Sequence, residues 1–460
     1  MTTTANLATR LEGILGAHRV VADEAELREY AIDGMVPGAI VRPASAQEAA
    51  EVVRFAIAEK LAIVATGSRS KLDLGMPPAR YDLALDMTAL HDIAHFDPGD
   101  LTLSVDAGMP LRQLAGVLAE KGQFLPLAVS CYETSTVAGA LASGIDSALR
   151  QQYGTARDFL IGAEFVDGKG APCKSGGRVV KNVTGYDLHK LLVGSLGTLA
   201  VITRLNFRTS TLPQAHGGHL AYFSNLQGAA AFRDAIEKSG LPLANLETLS
   251  PEMVALTSAA LHGTNEEFAG RLDPAKWCVY ASFEGIEAVV PRITRDLQKL
   301  ANESDAAGSE ILTPSADAHL GGVLREAFDW LRWVSPGAAL FRIVLSHCKP
   351  GDLADLLCIG QESFLRSALL VRAAAIIYFV LLAETKDESA FHALEIAATR
   401  VFSLARAGQG HATLLHAPGK LKSLVNVWGP KRADLGMMQR VKRSFDPLNI
   451  FAPGRFVGGI

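Results

Sequence analysis

Apolar residues along this chain recur in two ways. Positions three and four apart predict helices, and short runs rich in β-branched residues predict strands. Leu7 to Leu15 reads as a short amphipathic helix. From Ala39 to Ala65 the pattern is strand, helix, strand. Ser45 is placed to cap that helix, with Glu48 at capping-box spacing and Ala49, Val52, Val53, Ala56 and Ile57 on its apolar face. Asp82–Met87, Ile93–Asp97 and Leu101–Ala107 are further strands. Pro110 opens a helix that runs to Gly122, and Phe159–Asp167 with Ala171–Lys174 predict a hairpin around Asp167-Gly168.

A second pattern begins after Pro213. It runs strand (Leu220–Phe223), helix (Leu226–Lys238), strands (Leu243–Leu249 and Trp277–Phe283), helix (Ile286–Ala301) and strand (Glu310–Leu312). After a helical stretch, Val323–Trp333, the order recurs through Ala339–Ser346, Leu353–Phe364, Ala368–Ala373, Ile376–Leu382, Ser389–Ala407 and Ala412–His416. Two βαββαβ halves predict one antiparallel sheet with helices on one face. His216 and His219 flank Gly217-Gly218 in what reads as a solvated linker. Lys431 to Ser444 is helical and ends in a stiff loop through Pro447, Pro453 and Gly454 to Arg455. The fold class is therefore α+β, in segments 1–212, 213–430 and 431–460.

Composition narrows the function. A chain of 460 residues exceeds what one core fills, which makes two domains the default. A net charge of -4 and the lack of a basic run argue against nucleic acid as a partner. The most apolar run, Ala373–Ala383, is too short to span a bilayer, and the N-terminus has no apolar leader. The five cysteines contain no CxxC pair, which argues against an iron–sulfur or structural zinc site in this chain and for a reducing, cytoplasmic setting. The sequons at Asn182 and Asn302 are then chance matches. His91 and His95 lack an accompanying Glu and lie in a strand pattern, so no metal site is expected.

Three stretches carry candidate chemistry. Thr66-Gly67-Ser68-Arg69-Ser70-Lys71 directly follows a strand, with small residues for close approach and two cations as counter-charge; it fits a phosphate cradle or a polar surface turn equally. Ser135, Thr136, Gly139, Ala142 and Gly144 form a dense small-residue segment, followed by Tyr153-Gly154 and Asp158. Such a segment suits a flat ring or diphosphate lying on backbone, or close helix packing. Gly176 to Arg208 runs from a polar loop (Lys181, Asn182, Thr184, Gly185) through an amphipathic piece at Tyr186–Leu192. Gly194 and Gly197 lead from there into a strand. Local pattern alone leaves a ligand loop and a plain buried turn equally open.

The run from Lys181 through Gly197 resembles the flavin-domain signature of the vanillyl-alcohol-oxidase (PCMH) type of FAD-binding family. Within it, the resemblance is to the FAD-binding subunits of bacterial glycolate oxidase. The order Thr136–Gly139, Ala142–Gly144, Tyr153-Gly154, Arg157-Asp158 and the ending Phe451-Ala-Pro-Gly454-Arg455 are similar too, with Arg69, Ala138 and Ala200 standing where glycine is usual. The resemblance implies a two-subdomain FAD-binding domain at 1–212, a substrate or cap domain at 213–430, and a last segment lying against the FAD domain. It implies non-covalent FAD held by Thr66–Lys71, Ser135, Thr136, Gly139, Ala142, Gly144, Tyr153, Gly154, Asp158, Gly194, Gly197, Val201 and Ile202. Arg455, Lys181 and Tyr186 are the candidate catalytic residues. The implied activity is oxidation of glycolate or another 2-hydroxy acid, with electrons passed on. The implied partners are a second FAD-containing catalytic subunit and an iron–sulfur subunit, and membrane contact runs only through that complex. The GDGNxH-type metal motif of D-2-hydroxy-acid enzymes is replaced here by Gly408-Gln-Gly-His411 and His416, so turnover falls partly or wholly to the partner. A self-sufficient oxidoreductase for another alcohol and a flavin-free scaffold are the alternative readings.

Overall fold

The Ser45 hydroxyl accepts the Glu48 amide at 3.1 Å and starts the helix Ala46–Glu59, whose Ala49, Val52, Val53 and Ala56 are buried. The Glu48 carboxylate accepts from Ala44 N at 2.7 Å, not from Ser45, so the box closes one residue early. The computed structural model describes residues 4–178, 185–262, 266–335, 337–372 and 375–460. In its first layer, β1 (Val20–Val21), β2 (Ala39–Val41), β3 (Ile63–Thr66) and β4 (Leu83–Asp86) form a sheet of order β1-β2-β4-β3. β4 runs parallel to both β2 and β3.

The second layer contains β5 (Ile93–Asp97), β6 (Thr102–Asp106), β7 (Gln123–Phe124), β8 (Leu160–Val166), β9 (Pro172–Gly176), β10 (Val201–Arg208) and β11 (Ser210–Thr211). Five of these make an antiparallel sheet of order β5-β6-β10-β8-β9, and β7 pairs with β11 alone. Val166 and Val201 share one buried core with the helix Ala46–Glu59, which joins the two layers. Between Tyr186 and Leu192 the chain makes only a 3₁₀ turn, Leu188–Leu191, with Leu188 and Leu191 exposed. The amphipathic piece expected there is this single turn.

The remaining strands are β12 (Ala215–Phe223), β13 (Asn245–Leu249), β14 (Trp277–Gly285), β15 (Gly308–Leu312), β16 (Gly337–Val344), β17 (Arg366–Arg372), β18 (Ile376–Ala383) and β19 (His411–His416). They form one eight-stranded sheet of order β15-β12-β14-β13-β17-β18-β16-β19, antiparallel throughout. Each half repeats the same internal order, mirrored about the β13–β17 junction. Helices Leu226–Ser239, Val290–Glu303, Pro350–Glu362 and Glu388–Ala407 bury one face. The other face is covered as well, by Pro251–Leu261, Pro314–Arg325 and Ala327–Leu331, which corrects the one-sided expectation. Every residue of β18 is buried, and its unbroken apolar run is what a strand covered on both faces shows.

The histidine pair departs from the solvated linker. Both residues sit on β12, and His219 is fully buried with its ring 6.2 Å from Phe232. The glycines serve packing: a Cβ on Gly218 would lie 2.3 Å from Asp317 Oδ1, and one on Gly217 would lie 3.0 Å from the Phe283 ring. Burial pushes the His219 imidazole down to about 4. The unfolded chain therefore takes up the proton first. The stability that follows is complete above about pH 6.5 and is lost as pH falls towards 4, by roughly 3 kcal/mol in all. A His219→Leu variant is expected to lack this component, read as the difference between the two proteins' urea-unfolding free energies from pH 7 to 4.

The last segment turns back to the first domain. Ile63 N donates to Ile450 O and Ala452 N to Ile63 O, each at 2.7 Å, extending the edge at β3. The helix Leu435–Phe445 carries Lys442, whose Nζ reaches Thr198 O, Phe451 O and Asp446 Oδ2 at 2.7–2.9 Å.

Candidate functional site

Three backbone segments meet between the two layers of the first domain. The loop after β3 lies against the start of the helix Val137–Ser143. A Cβ on Gly67 would come within 2.2 Å of Thr136 Oγ1, the atom that caps this helix by accepting from Gly139 N at 3.2 Å. The third segment is stitched to the same helix, Gly194 N donating to Leu141 O at 3.0 Å and Leu196 N to Ala142 O at 2.9 Å. Gly144 and Gly194 meet backbone to backbone, so that a Cβ on Gly144 would sit 2.7 Å from Gly194 Cα.

Together these segments wall an open cleft. Thr66, Gly67, Ser68, Arg69, Ser70 and Lys71 line it, as do Thr136, Gly139, Ala142, Gly197, Ile202 and Arg455. Ser135 stands behind the wall, fully buried, accepting from Lys71 Nζ and lying 3.2 Å from Ser70 Oγ. Burial pushes the Lys71 ammonium down from its ordinary range. The other expected residues lie elsewhere. The Val201 side chain is packed in the core beneath, and Gly144 and Gly194 act as spacers behind the cleft. Asp158 accepts from Thr155 N and Oγ1 at 2.7 Å in a helix cap, and a Cβ on Gly154 would lie 2.7 Å from that carboxylate. The Tyr153 hydroxyl donates to Glu284 on β14. Tyr186 is 89% exposed and does not line the cleft, and Lys181 lies outside the described residues.

Arg69 has a φ of +66°, the left-handed conformation that explains a glycine preference there. Its guanidinium turns over the Tyr30 ring, 4.4 Å from the centroid, and donates to the Tyr30 hydroxyl at 2.8 Å. Arg455 is buried and donates to the carbonyls of Leu72 and Leu74, while its Nε has no partner. No carboxylate pairs with it among the described residues. Met87, Ala107, Ala138, Leu196 and Ala200 also line the cleft. Only Ala138 and Ala200 carried any signal in the sequence, as replacements within a glycine pattern.

Beyond Leu72 the loop enters a part-buried network with the large sheet. Asp73 Oδ1 accepts from Arg332 at 3.0 Å and Asp73 Oδ2 lies 2.8 Å from His416 Nδ1 on β19. A carboxylate only accepts, so that ring nitrogen carries the hydrogen. Arg332 also donates to Asp329, and Lys422 donates to Asp33 at 3.0 Å and to Asp73 O at 2.5 Å. Burial works to raise the Asp73 carboxyl, but the His416 hydrogen bond and the charges of Arg332, His416 and Lys422 outweigh it and bring it to about 2. Nearby, Cys131 N donates to Glu326 Oε2 at 2.5 Å, and burial pushes the Cys131 thiol up to about 12. Among the described residues, no three His, Cys, Asp or Glu side chains are grouped to hold a metal ion, and no helix is long and apolar enough to cross a membrane.

Comparison with known proteins gives two family matches, an FAD binding domain over residues 37–176 and the C-terminal domain of FAD linked oxidases over 375–456. Glycolate oxidase subunit GlcD of Bacillus subtilis (strain 168) is 24% identical over 424 residues, which is 91% of this chain and 89% of that protein. Glycolate oxidase subunit GlcE of Escherichia coli (strain K12) is 37% identical over 166 residues, 36% of this chain and 47% of that protein. Among solved structures, p-cresol methylhydroxylase with substrate bound superimposes with a TM-score of 0.76 at 15% identity, covering 99% of this chain and 97% of that one. A 4-ethylphenol oxidase from Gulosibacter chungangensis gives 0.76 at 16% identity, covering 98% and 97%. These structures share the α+β fold described above.

Proposed function

We propose that this chain, which belongs to the PCMH-type family of FAD-linked oxidoreductases, is the FAD-binding subunit of an assembly that oxidises glycolate or a related 2-hydroxy acid. FAD is its cofactor. The residues present fit that group. Three backbone segments supply most of the cleft's lining, and Arg455, a buried guanidinium that also lines it, has an Nε without a partner. This unpartnered buried donor is the observation that carries the reading.

Thr66–Lys71 would hold the diphosphate with amides, hydroxyls and the Lys71 charge. Gly139, Ala142, Gly197 and Ile202 would bound the flat portion of the cofactor. Arg455 braces the cradle through Leu72 and Leu74. When bound, FAD supplies a hydride acceptor for the α-carbon of the hydroxy acid. What the chain itself contributes is a fixed site and a fixed orientation. Similarity to two different glycolate oxidase subunits supports a multi-subunit assembly; in this reading a second FAD-bearing catalytic subunit and an iron–sulfur subunit would complete it.

The test is the absorption spectrum of the purified chain. Flavin bands are expected, and they should bleach with glycolate or D-lactate only when the partner subunits are present. A colourless chain that still assembles would leave a scaffold role in place of this one.

A further inference from the structure

Oxidising a 2-hydroxy acid requires a cation to anchor the substrate carboxylate, and a planar guanidinium does this best. Where the loop leaves the cleft after Leu72 and meets the large sheet, this chain has the groups for such an anchor. Arg332 comes from the turn after the helix Ala327–Leu331, His416 from the end of β19, and Trp333, 74% exposed, lies beside both with its ring 6.3 Å from that of His416. The anchor is already taken. Asp73, one residue beyond the cleft-lining Leu72, places one carboxylate oxygen 3.0 Å from Arg332 and the other 2.8 Å from His416.

The two-oxygen grip on Arg332 and His416 is the arrangement a small free carboxylate would adopt there. Asp73 keeps 30% of its side chain exposed, so the position is open to solvent, whereas Arg332 keeps only 8%. Arg332 keeps Asp329 as a carboxylate partner in any case, so only its side facing His416 takes a second carboxylate. The chain fills that side itself.

We propose that Asp73 is an internal stand-in for a substrate carboxylate, occupying the Arg332–His416 anchor so that this chain does not take a free 2-hydroxy acid there. The inference rests on the FAD-cleft reading and deepens it: this chain holds the cofactor, and the hydroxy-acid carboxylate is held by the partner subunit. Removing the Asp73 carboxylate converts the position into a receptor for small carboxylates.

The test uses the full-length purified protein, wild type, Asp73→Ala and Asp73→Ala/Arg332→Gln, titrated with acetate and with glycolate against sodium chloride at equal ionic strength. Asp73→Ala is expected to bind both acids saturably and at least about tenfold more tightly than wild type. Its melting temperature should recover by roughly 2–4 °C at saturation. The double variant should show neither effect. Asp73→Ser, which also vacates the carboxylate position, serves the same comparison if the alanine variant does not fold. Wild type binding glycolate as tightly as the single variant, or a gain that survives in the double variant, would overturn the proposal. Flavin content is read from the absorbance of the same samples. Flavin-free protein that shows the rescue pattern counts against the cofactor reading alone, and flavin-loaded protein without the pattern counts against the Asp73 assignment alone.

Discussion

Gly197→Val is expected to give a folded protein that has lost most of its flavin. At Gly197 the φ is +67°, and an added Cβ would meet only Ala65 Cβ, at an ordinary 3.8 Å. The side chain would therefore enter the cleft and leave the core undisturbed. A non-glycine residue in this conformation costs on the order of 1–2 kcal/mol, which a domain of this size tolerates. Filling the approach path should weaken FAD binding by far more, at least about a hundredfold. The ratio of flavin-band to protein absorbance after gel filtration measures this, with circular dichroism as the check on folding. Gly67→Ala makes the useful contrast, because its Cβ would strike the capping hydroxyl of Thr136 and disturb the protein itself. Full flavin occupancy in the valine variant would remove Gly197 from the site.

Asp446→Ala is expected to destabilise the protein by about 3–5 kcal/mol, the range for a buried ion pair stripped of one partner. The Asp446 carboxylate is fully buried, pairs with Lys442 at 2.7 Å, and accepts from Ile450 N at 3.1 Å and Phe451 N at 2.8 Å. Its loss leaves an ammonium with 6% of its side chain exposed and only carbonyls to face. Burial already pushes that ammonium's pKa down. The double change Lys442→Met/Asp446→Leu should recover much of the loss, since the uncompensated charge goes with it. Denaturant unfolding of the three proteins decides the matter. Equal stability of wild type and the single variant would show that the pair does not hold the C-terminal segment in place.

Most of the large sheet was legible because each strand and helix announces itself locally. The helix Glu388–Ala407, for example, sits within a residue of its expected start. The second helical face was missed although its signals were present: Ser250 accepts from Met253 N, and Pro251 occupies the first turn of the helix Pro251–Leu261. The glycine pair on β12 misled for a physical reason. Gly217 and Gly218 look like flexibility in one dimension and are close packing in three. The cleft's glycines were readable as close-approach points. Which of them face the opening and which stand behind it depends on how the helix Val137–Ser143 is seated, and no local pattern encodes that. Of the Asp73 network only His416 stood out, as part of the stretch that replaces a metal motif. Its pairing was not legible, because Asp73 lies 259 residues from Arg332 and 343 from His416 along the chain.

The strap of residues 450–452 along β3 bears on the order of events at the ribosome. Synthesis delivers residues in chain order, yet the edge at Ile63 receives its neighbour only when residues 450–452 have emerged. The middle domain, contiguous in the chain, can mature in the meantime. A nascent chain stalled before residue 450 should therefore hold a finished middle and an unsealed beginning, with an open strand edge for chaperones to guard.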